Sequence, residues 1–411
     1  MDILIETLDD SLWVAATNKA QLEGLEVDPF AEEVRWGTIY WAKVARIDKS
    51  MDAAYVNLDG DNIGLLNNAD VWVKDKHGKY KRGGEKEIGH YIEPGDMIAV
   101  QAKSGYLPKG PDVDDYSPAE SKNPRVSMNI VLPGRYLIYA PMENENRVSR
   151  RIRDKKLRQR LMSIVSDLAG CKGCILRAAA AGTQNDILMR EAKILAETWS
   201  QLQEYFTGDD PQLIMLGPDA IQRMLGDMAN KQIDRIEVTM REHYDDVEEW
   251  CEIYAPDLVT KVHMVKVSPS GSALGLFEFN DIVDQIEDLF QPYVLLKGGG
   301  SVIIEQTAAL TAIDVNRGGD KRSNFEINIE AAAEIASQLR LRNLGGAILV
   351  DFLKMKNKTE QKKLEETLDS EFLSDDPCTV QVHGLTNLGL MEITRHRRTP
   401  PLMERFQSVI G

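Results

Sequence analysis

The feature that most constrains this chain is a pair of apolar segments that each end in aspartate, with one long helical pattern between them. SVIIEQT and LTAIDVN read as two strands joined by a short connection. Residues 327–344 read as an 18-residue helix ended by Gly345-Gly346, and AILVDFLKM reads as a third strand. Asp314 and Asp351 stand at equivalent points of two of these strands. A carboxylate ending a buried strand is costly unless it faces solvent at the sheet edge, is hydrogen-bonded, or binds a cation. If strands 310–315 and 347–352 are neighbours, the two carboxylates converge, and a hard divalent cation best reconciles them. Asn316 points to the same side of an extended chain as Asp314 and can hold a carboxylate or a metal-bound water. The absence of a His cluster and of a complete set of Cys pairs favours Mg²⁺ over zinc. Arg317, Lys321 and Arg322 follow closely enough to meet a phosphate. The chemistry implied is metal-assisted phosphodiester hydrolysis. Asp also caps strand-to-loop turns, and either residue alone would be read that way; the combination with Asn316 and three cations favours a site.

Charge decides what kind of polyanion binder this can be. The net charge of −16 excludes a protein that coats nucleic acid through overall positive charge. Within this acidic chain, residues 147–160 (RVSRRIRDKKLRQR) hold eight Arg or Lys and one Asp, a local reversal of sign. The run is either a solvated helix face or a phosphate-binding surface, in which Arg150, Arg151 and Arg153 would contact the phosphates. The N-terminus lacks the basic start and apolar core of a signal peptide, and no run of 18 apolar residues occurs, so a cytoplasmic protein without a membrane segment is expected. Four cysteines in 411 residues do not make a disulfide framework. Cys171 and Cys174 have the spacing of half a zinc site but no second pair, so inert thiols are expected.

A chain of this length holds roughly two to four domains. Residues 1–35 offer an alternating strand at Ile3 and Ile5 and a second at 12–16, then an acidic stretch at 26–33, too little to fold alone. Residues 36–125 carry about five short β segments, a pattern that suggests a small closed barrel of the OB type. Its polar stretches 74–89 and 104–124 read as loops, the second expected to be mobile. Residues 126–208 read as an α+β layer: strand RYLIYA, a basic helix over 151–168, strand CILRAAA and a long helix over 185–206. Residues 209–288 alternate strand and helix, with a helix at 279–290, and the acidic patch at 245–249 reads as a solvated helix start. The fold class is α/β and multidomain.

The stretches GGSVIIEQTAALTAIDVN, INIEAAAEIASQLRLRNLGG and AILVDFLKM closely resemble the catalytic core of the ribonuclease E/G family of endoribonucleases. The likeness extends outward. RWGTIYWAKVARID, AAYVNLD and GLL look like that family's embedded S1-type OB domain, VLPGRYLIYAP and RVSRRIR like its 5′-end-sensing segment, and LGLMEITRHRRTPPL like the end of its catalytic domain. The resemblance implies an RNase H-like subdomain (1–35 and 209–288) split by an S1-type OB domain (36–125) and a sensor segment (126–208), followed by a DNase I-like catalytic subdomain (289–411). It maps the catalytic residues onto Asp314, Asn316 and Asp351. It implies Mg²⁺ held by the two Asp, a water activated for in-line attack on single-stranded RNA, 5′-phosphate and 3′-hydroxyl products, and a role in RNA processing or mRNA decay.

Several positions depart from the family pattern. The pocket for a 5′-monophosphate corresponds to Gly134, Ile138, Arg150 and Arg177, but Ala178 stands in place of a Thr, and the position of a further supporting Arg of the family falls near Thr379, where this chain has no Arg. Tyr55 keeps a base-stacking ring, whereas Leu65 replaces a second aromatic; stacking contributes roughly 1–3 kcal/mol per base. Lys354 stands where a further acid is usual. The C-P-x-C motif that links protomers through zinc is absent from the sequence, so a homodimer would not be zinc-linked. An RNA-binding protein of the same fold with weak or lost cleavage is the alternative expectation, against which the retained Asp314, Asn316 and Asp351 weigh. A DNA nuclease would use the same metal chemistry, and the S1-type domain favours RNA.

Overall fold

Apolar side chains at every second position make strands here, and five sheets form among the described residues. The computed structural model describes residues 1–8, 10–30, 32–105, 123–150, 152, 154–168, 171–266 and 275–405. The architecture is mixed α and β. Most of the loop expected to be mobile, together with Arg151 and Arg153, lies outside the described residues.

The N-terminal strands Asp2–Leu8, Ser11–Asn18 and Gln21–Pro29 form a meander. Asp2–Leu8 also pairs in parallel with Arg235–Val238, which pairs with Val262–Met264. Gln21–Pro29 corrects the reading of 26–33 as an acidic stretch. Its Glu26 and Asp28 are drawn inward by Arg223, which is 2% exposed and ion-paired to both. Two further elements differ from expectation. The acidic patch lies in the middle of helix Arg241–Tyr254, where His243, Val247, Trp250 and Cys251 face the core. Residues 279–290 do not form one helix; Gly275–Phe279 and Val283–Asp288 are separate, and Asp281 between them has φ 55°.

The barrel closes through five strands. Ile39–Asp48, Ala53–Asn57, Ile63–Asn67, Arg125–Ser127 and Met97–Ala102 pair in that order, and Met97–Ala102 returns to Ile39–Asp48. Closure removes the free edges a five-stranded sheet would leave. The polar stretch 74–89 is not all loop: Trp72–Lys74 pairs with Tyr80–Arg82. Gln212–Met215 adds to the barrel at Ile39–Asp48. The basic helix is Lys155–Asp167, started by Asp154, whose side chain accepts the Leu157 N–H.

The C-terminal sheet is six-stranded, in the order Tyr293–Leu295, Ser301–Gln306, Leu310–Asn316, Gly346–Asp351, Met391–Arg395, Val380–Leu385. Only Leu310–Asn316 and Gly346–Asp351 are parallel neighbours, because a helix crosses between them. That helix, Asn324–Leu341, begins with a capping box: the Ser323 hydroxyl receives the Glu326 N–H, and the Glu326 carboxylate receives the Ser323 N–H. Ile327, Ala331, Ile335 and Leu339 form its buried stripe. It and helix Lys358–Asp375 cover one face of the sheet, burying Ile304, Ile313, Val315, Ile348 and Val350 with Leu364 and Leu368. The last strand is pinned from within. Arg395, 2% exposed, donates to both oxygens of Asp376 (2.6 and 3.0 Å) and to the Leu344 carbonyl (2.8 Å).

Candidate functional site

Because Ile313, Val315 and Val350 turn to the helices, the residues alternating with them turn to the other face of the C-terminal sheet. Asp314 is the register partner of Asp351 across the one parallel pair, and both side chains are exposed. Adjacent strands lie about 4.8 Å apart, so two carboxylates at paired positions face the same small volume. Asn316 donates from Nδ2 to Oδ2 of Asp314 at 2.7 Å. Among the described residues neither Asp is engaged by an Arg or Lys, and the Asn316 amide is the neutral donor that meets the pair. No group of three or more His, Cys, Asp or Glu gathers as a metal cage among the described residues. Two carboxylates and a positioned amide are a donor set suited to Mg²⁺, which binds through one or two carboxylates and keeps several waters.

The three cations downstream do not act alike. Arg317 donates to the carbonyls of Asp320 and Arg322 and to the Asn324 side chain, which ties down the loop after Asp314. Arg322 is held by Asp320 and Glu330, and both contacts raise its pKa. Lys321 is exposed. Lys321 has no acidic partner among the described residues, whereas a phosphate would reach Arg322 only by competing with two carboxylates. Lys354 is also exposed, and its carbonyl accepts from Asn324.

A second feature is a cavity of about 950 Å³ whose lining includes Gly134, Ile138, Arg177, Ala178, Asp227 and Arg398. Arg177 donates to the Gly134 carbonyl at 3.0 Å and to Asp227 at 3.4 Å. Arg398 donates to both oxygens of Asp227 and lies over Trp36. Arg150 is exposed beside Ser149, which also lines the cavity, but is not itself in the wall. Ala178 opens the short helix Ala178–Gly182 and supplies no hydroxyl.

Asp227 and Arg398 were not legible as cavity residues in the sequence, nor was Glu191 as the buried acid behind Gly134, since each acts through a partner at least 40 positions away. Gly134 is required because a Cβ there would stand 2.3 Å from Glu191 Oε1. The same oxygen accepts the N–H groups of Tyr136 and Leu137, where strand Leu132–Pro133 turns into its antiparallel partner Leu137–Tyr139. Burial pushes the Glu191 carboxyl up to about 7, against the opposing effect of those two N–H donors. A raised acid favours the folded state fully below its unfolded value of 4.5 and loses that contribution as pH rises through about 7. Glu191→Gln is therefore expected to flatten the fall in stability between these pH values, by about 1–3 kcal/mol at pH 8. Urea unfolding of both proteins at pH 5 and pH 8 checks this; parallel curves would remove Glu191 as the titrating group.

On the barrel, Tyr55 is the register partner of Leu65, both on the outward side. The four cysteines are free; Cys174 and Cys251 are buried, which pushes each thiol up to about 12. No helix among the described residues is long and apolar enough to cross a membrane.

Comparison with known proteins follows the same residues. The model of the ribonuclease E/G family matches residues 131–398. The chain is similar to ribonuclease G of Salmonella typhimurium and ribonuclease G of Escherichia coli K12, each 31% identical over 411 residues, covering 96% of this chain and 80% of the relative. It is also similar to ribonuclease E of Synechocystis, 31% identical over 401 residues, covering 94% of this chain and 56% of that protein.

Proposed function

The chain belongs to the ribonuclease E/G family and is an enzyme of that kind; from this premise we propose that it is a Mg²⁺-dependent endoribonuclease that cuts single-stranded RNA to 5′-phosphate and 3′-hydroxyl ends, in RNA processing or decay. The observation that carries the reading is the register of Asp314 with Asp351 on an open sheet face, with Asn316 bonded to Asp314. Asp314 and Asp351 would hold the ion. When bound, it supplies charge neutralisation at the phosphate and an activated water. Asn316 donates to one carboxylate oxygen of Asp314, which helps to orient it and leaves the other oxygen for the ion. Lys321 offers its ammonium to the RNA backbone.

In this reading residues 289–411 are the DNase I-like catalytic subdomain, 1–35 with 209–288 the RNase H-like one, 36–125 the S1-type RNA-binding domain, and 126–208 the sensor. The protein acts in the cytoplasm. End-labelled single-stranded RNA incubated with Mg²⁺ or with EDTA tests the function. Cleavage with Mg²⁺ alone supports it, while binding without cleavage in Mg²⁺ favours the RNA-binding alternative.

End sensing is expected to be blunted. Gly134, Ile138 and Arg177 line the pocket we assign to a 5′-monophosphate and Arg150 stands exposed beside it, but Ala178 removes one donor. A charge-assisted hydrogen bond contributes about 1.5–3 kcal/mol, and tenfold corresponds to about 1.4 kcal/mol. Wild-type protein should therefore prefer 5′-monophosphate over 5′-hydroxyl RNA by less than about tenfold, and Ala178→Thr should widen the preference. Single-turnover rates on one oligonucleotide with both ends decide this, and a wild-type preference well above tenfold would show the pocket intact.

A further inference from the structure

The outward side of the barrel carries a row of side chains not used so far. Arg46 pairs in register with Tyr55, Tyr55 with Leu65, and Leu65 with Arg125, across four adjacent strands. The chain neighbours Ala54, Val56, Leu66 and Val126 of the last three fill the barrel core, and the Arg46 side chain is 60% exposed, so the row points outward. A register shift between Val44 and Arg46 brings Arg46, rather than Ala45, into line. Three strand spacings give the row a length of roughly 14 Å.

The two ends are cationic in a chain of net charge −16. The Arg46 guanidinium lies 3.7 Å from the centroid of the Tyr55 ring, and its ion pair with Asp48 is loose, at 3.7 Å. The guanidinium covers one face of the ring and stays 60% exposed, so a base can reach it from solvent. Arg125 is exposed, and its strand is fixed by the bond from Lys103 N–H to the Arg125 carbonyl. Among the described residues its side chain has no acidic partner. A single nucleic-acid strand matches this sequence of surfaces, because it offers base faces to a planar guanidinium and phosphates to a free one.

We propose that Arg46 and Arg125 are RNA ligands of the barrel. Arg46, stacked on Tyr55, gives a base the second flat surface that Leu65 does not, and Arg125 takes a phosphate at the far end of the row. The inference rests on the endoribonuclease reading.

The test is anisotropy of a fluorescent single-stranded oligoribonucleotide titrated with the full chain in EDTA, beside Arg46→Gln, Arg46→Lys, Arg125→Gln and the off-row control Lys79→Gln, each checked for folding by thermal melt. Each Gln variant in the row should bind about threefold to tenfold more weakly. Arg125→Gln should also lower the slope of log affinity against log salt by about 0.7. Arg46→Lys should stay weakened, because an ammonium keeps the charge without the plane. An abasic nucleotide at one position should erase the difference between wild type and Arg46→Gln. If the wild type cuts this RNA in Mg²⁺ yet the row variants bind as it does, or no more weakly than Lys79→Gln, the row is overturned and the nuclease reading stands. If the wild type neither binds nor cuts, the nuclease reading falls and takes the row with it.

Discussion

Asp314→Asn or Asp351→Asn is expected to lower RNA cleavage by about a thousandfold or more, as loss of several kcal/mol of charge stabilisation implies. The fold should be untouched. Both side chains are exposed and neither anchors an ion pair among the described residues, so the amide removes like-charge repulsion and exposes nothing. The melting temperature should hold or rise slightly. Single-turnover cleavage in Mg²⁺ beside a thermal melt measures both effects, and a wild-type rate in either variant would refute the metal-site assignment.

Asp376→Ala should cost about 3–5 kcal/mol of stability, the usual consequence of leaving one member of a buried ion pair alone. Arg395 is enclosed, and Asp376 accepts two of its N–H groups together with the Cys378 backbone N–H. The pair joins the last strand to the end of the crossover helix through the Leu344 carbonyl and Asn343. Replacing both partners, as Asp376→Leu with Arg395→Met, should recover much of the loss because no buried charge is then orphaned. Urea unfolding of the three proteins gives the comparison; a cost below about 1 kcal/mol for Asp376→Ala would mean that Arg395 is neutralised some other way.

The Asp pair was legible because strand, helix and strand carry period-two and helical patterns strong enough to place two acids at equivalent ends. Its setting was only half legible. The strands are covered by helices on one face alone, and Ala312, Leu349 and Ala347 on the open face look as apolar in sequence as the buried Ile313 and Val350. The solvent-facing option for the two Asp therefore holds, and convergence rather than burial is what calls for a cation. Arg317 and Arg322 were legible as cations near the Asp pair in sequence, whereas the carbonyls and carboxylates that fold around them were not. The strand Gln21–Pro29 was hidden for the same reason: Glu26 and Asp28 look solvated until Arg223, nearly 200 positions later, closes on them. The Arg46, Tyr55, Leu65, Arg125 row depends on a bulge and on a strand beyond a long loop, and neither leaves a local pattern.

The first strand of the chain finds its parallel neighbour only at Arg235–Val238. During synthesis at about 5–20 residues per second, Ile3 and Ile5 must wait roughly ten to fifty seconds for that partner to leave the ribosome. In the meantime the barrel, whose strands all lie between residues 39 and 127, is free to close. The N-terminal meander spends that interval with one edge unpaired and its apolar face waiting for Ile236 and Val238. The chain is thus most open to aggregation and to chaperones in the middle of its translation, and arrested nascent chains that stop before residue 235 should be cut by protease in the first 30 residues while the barrel resists.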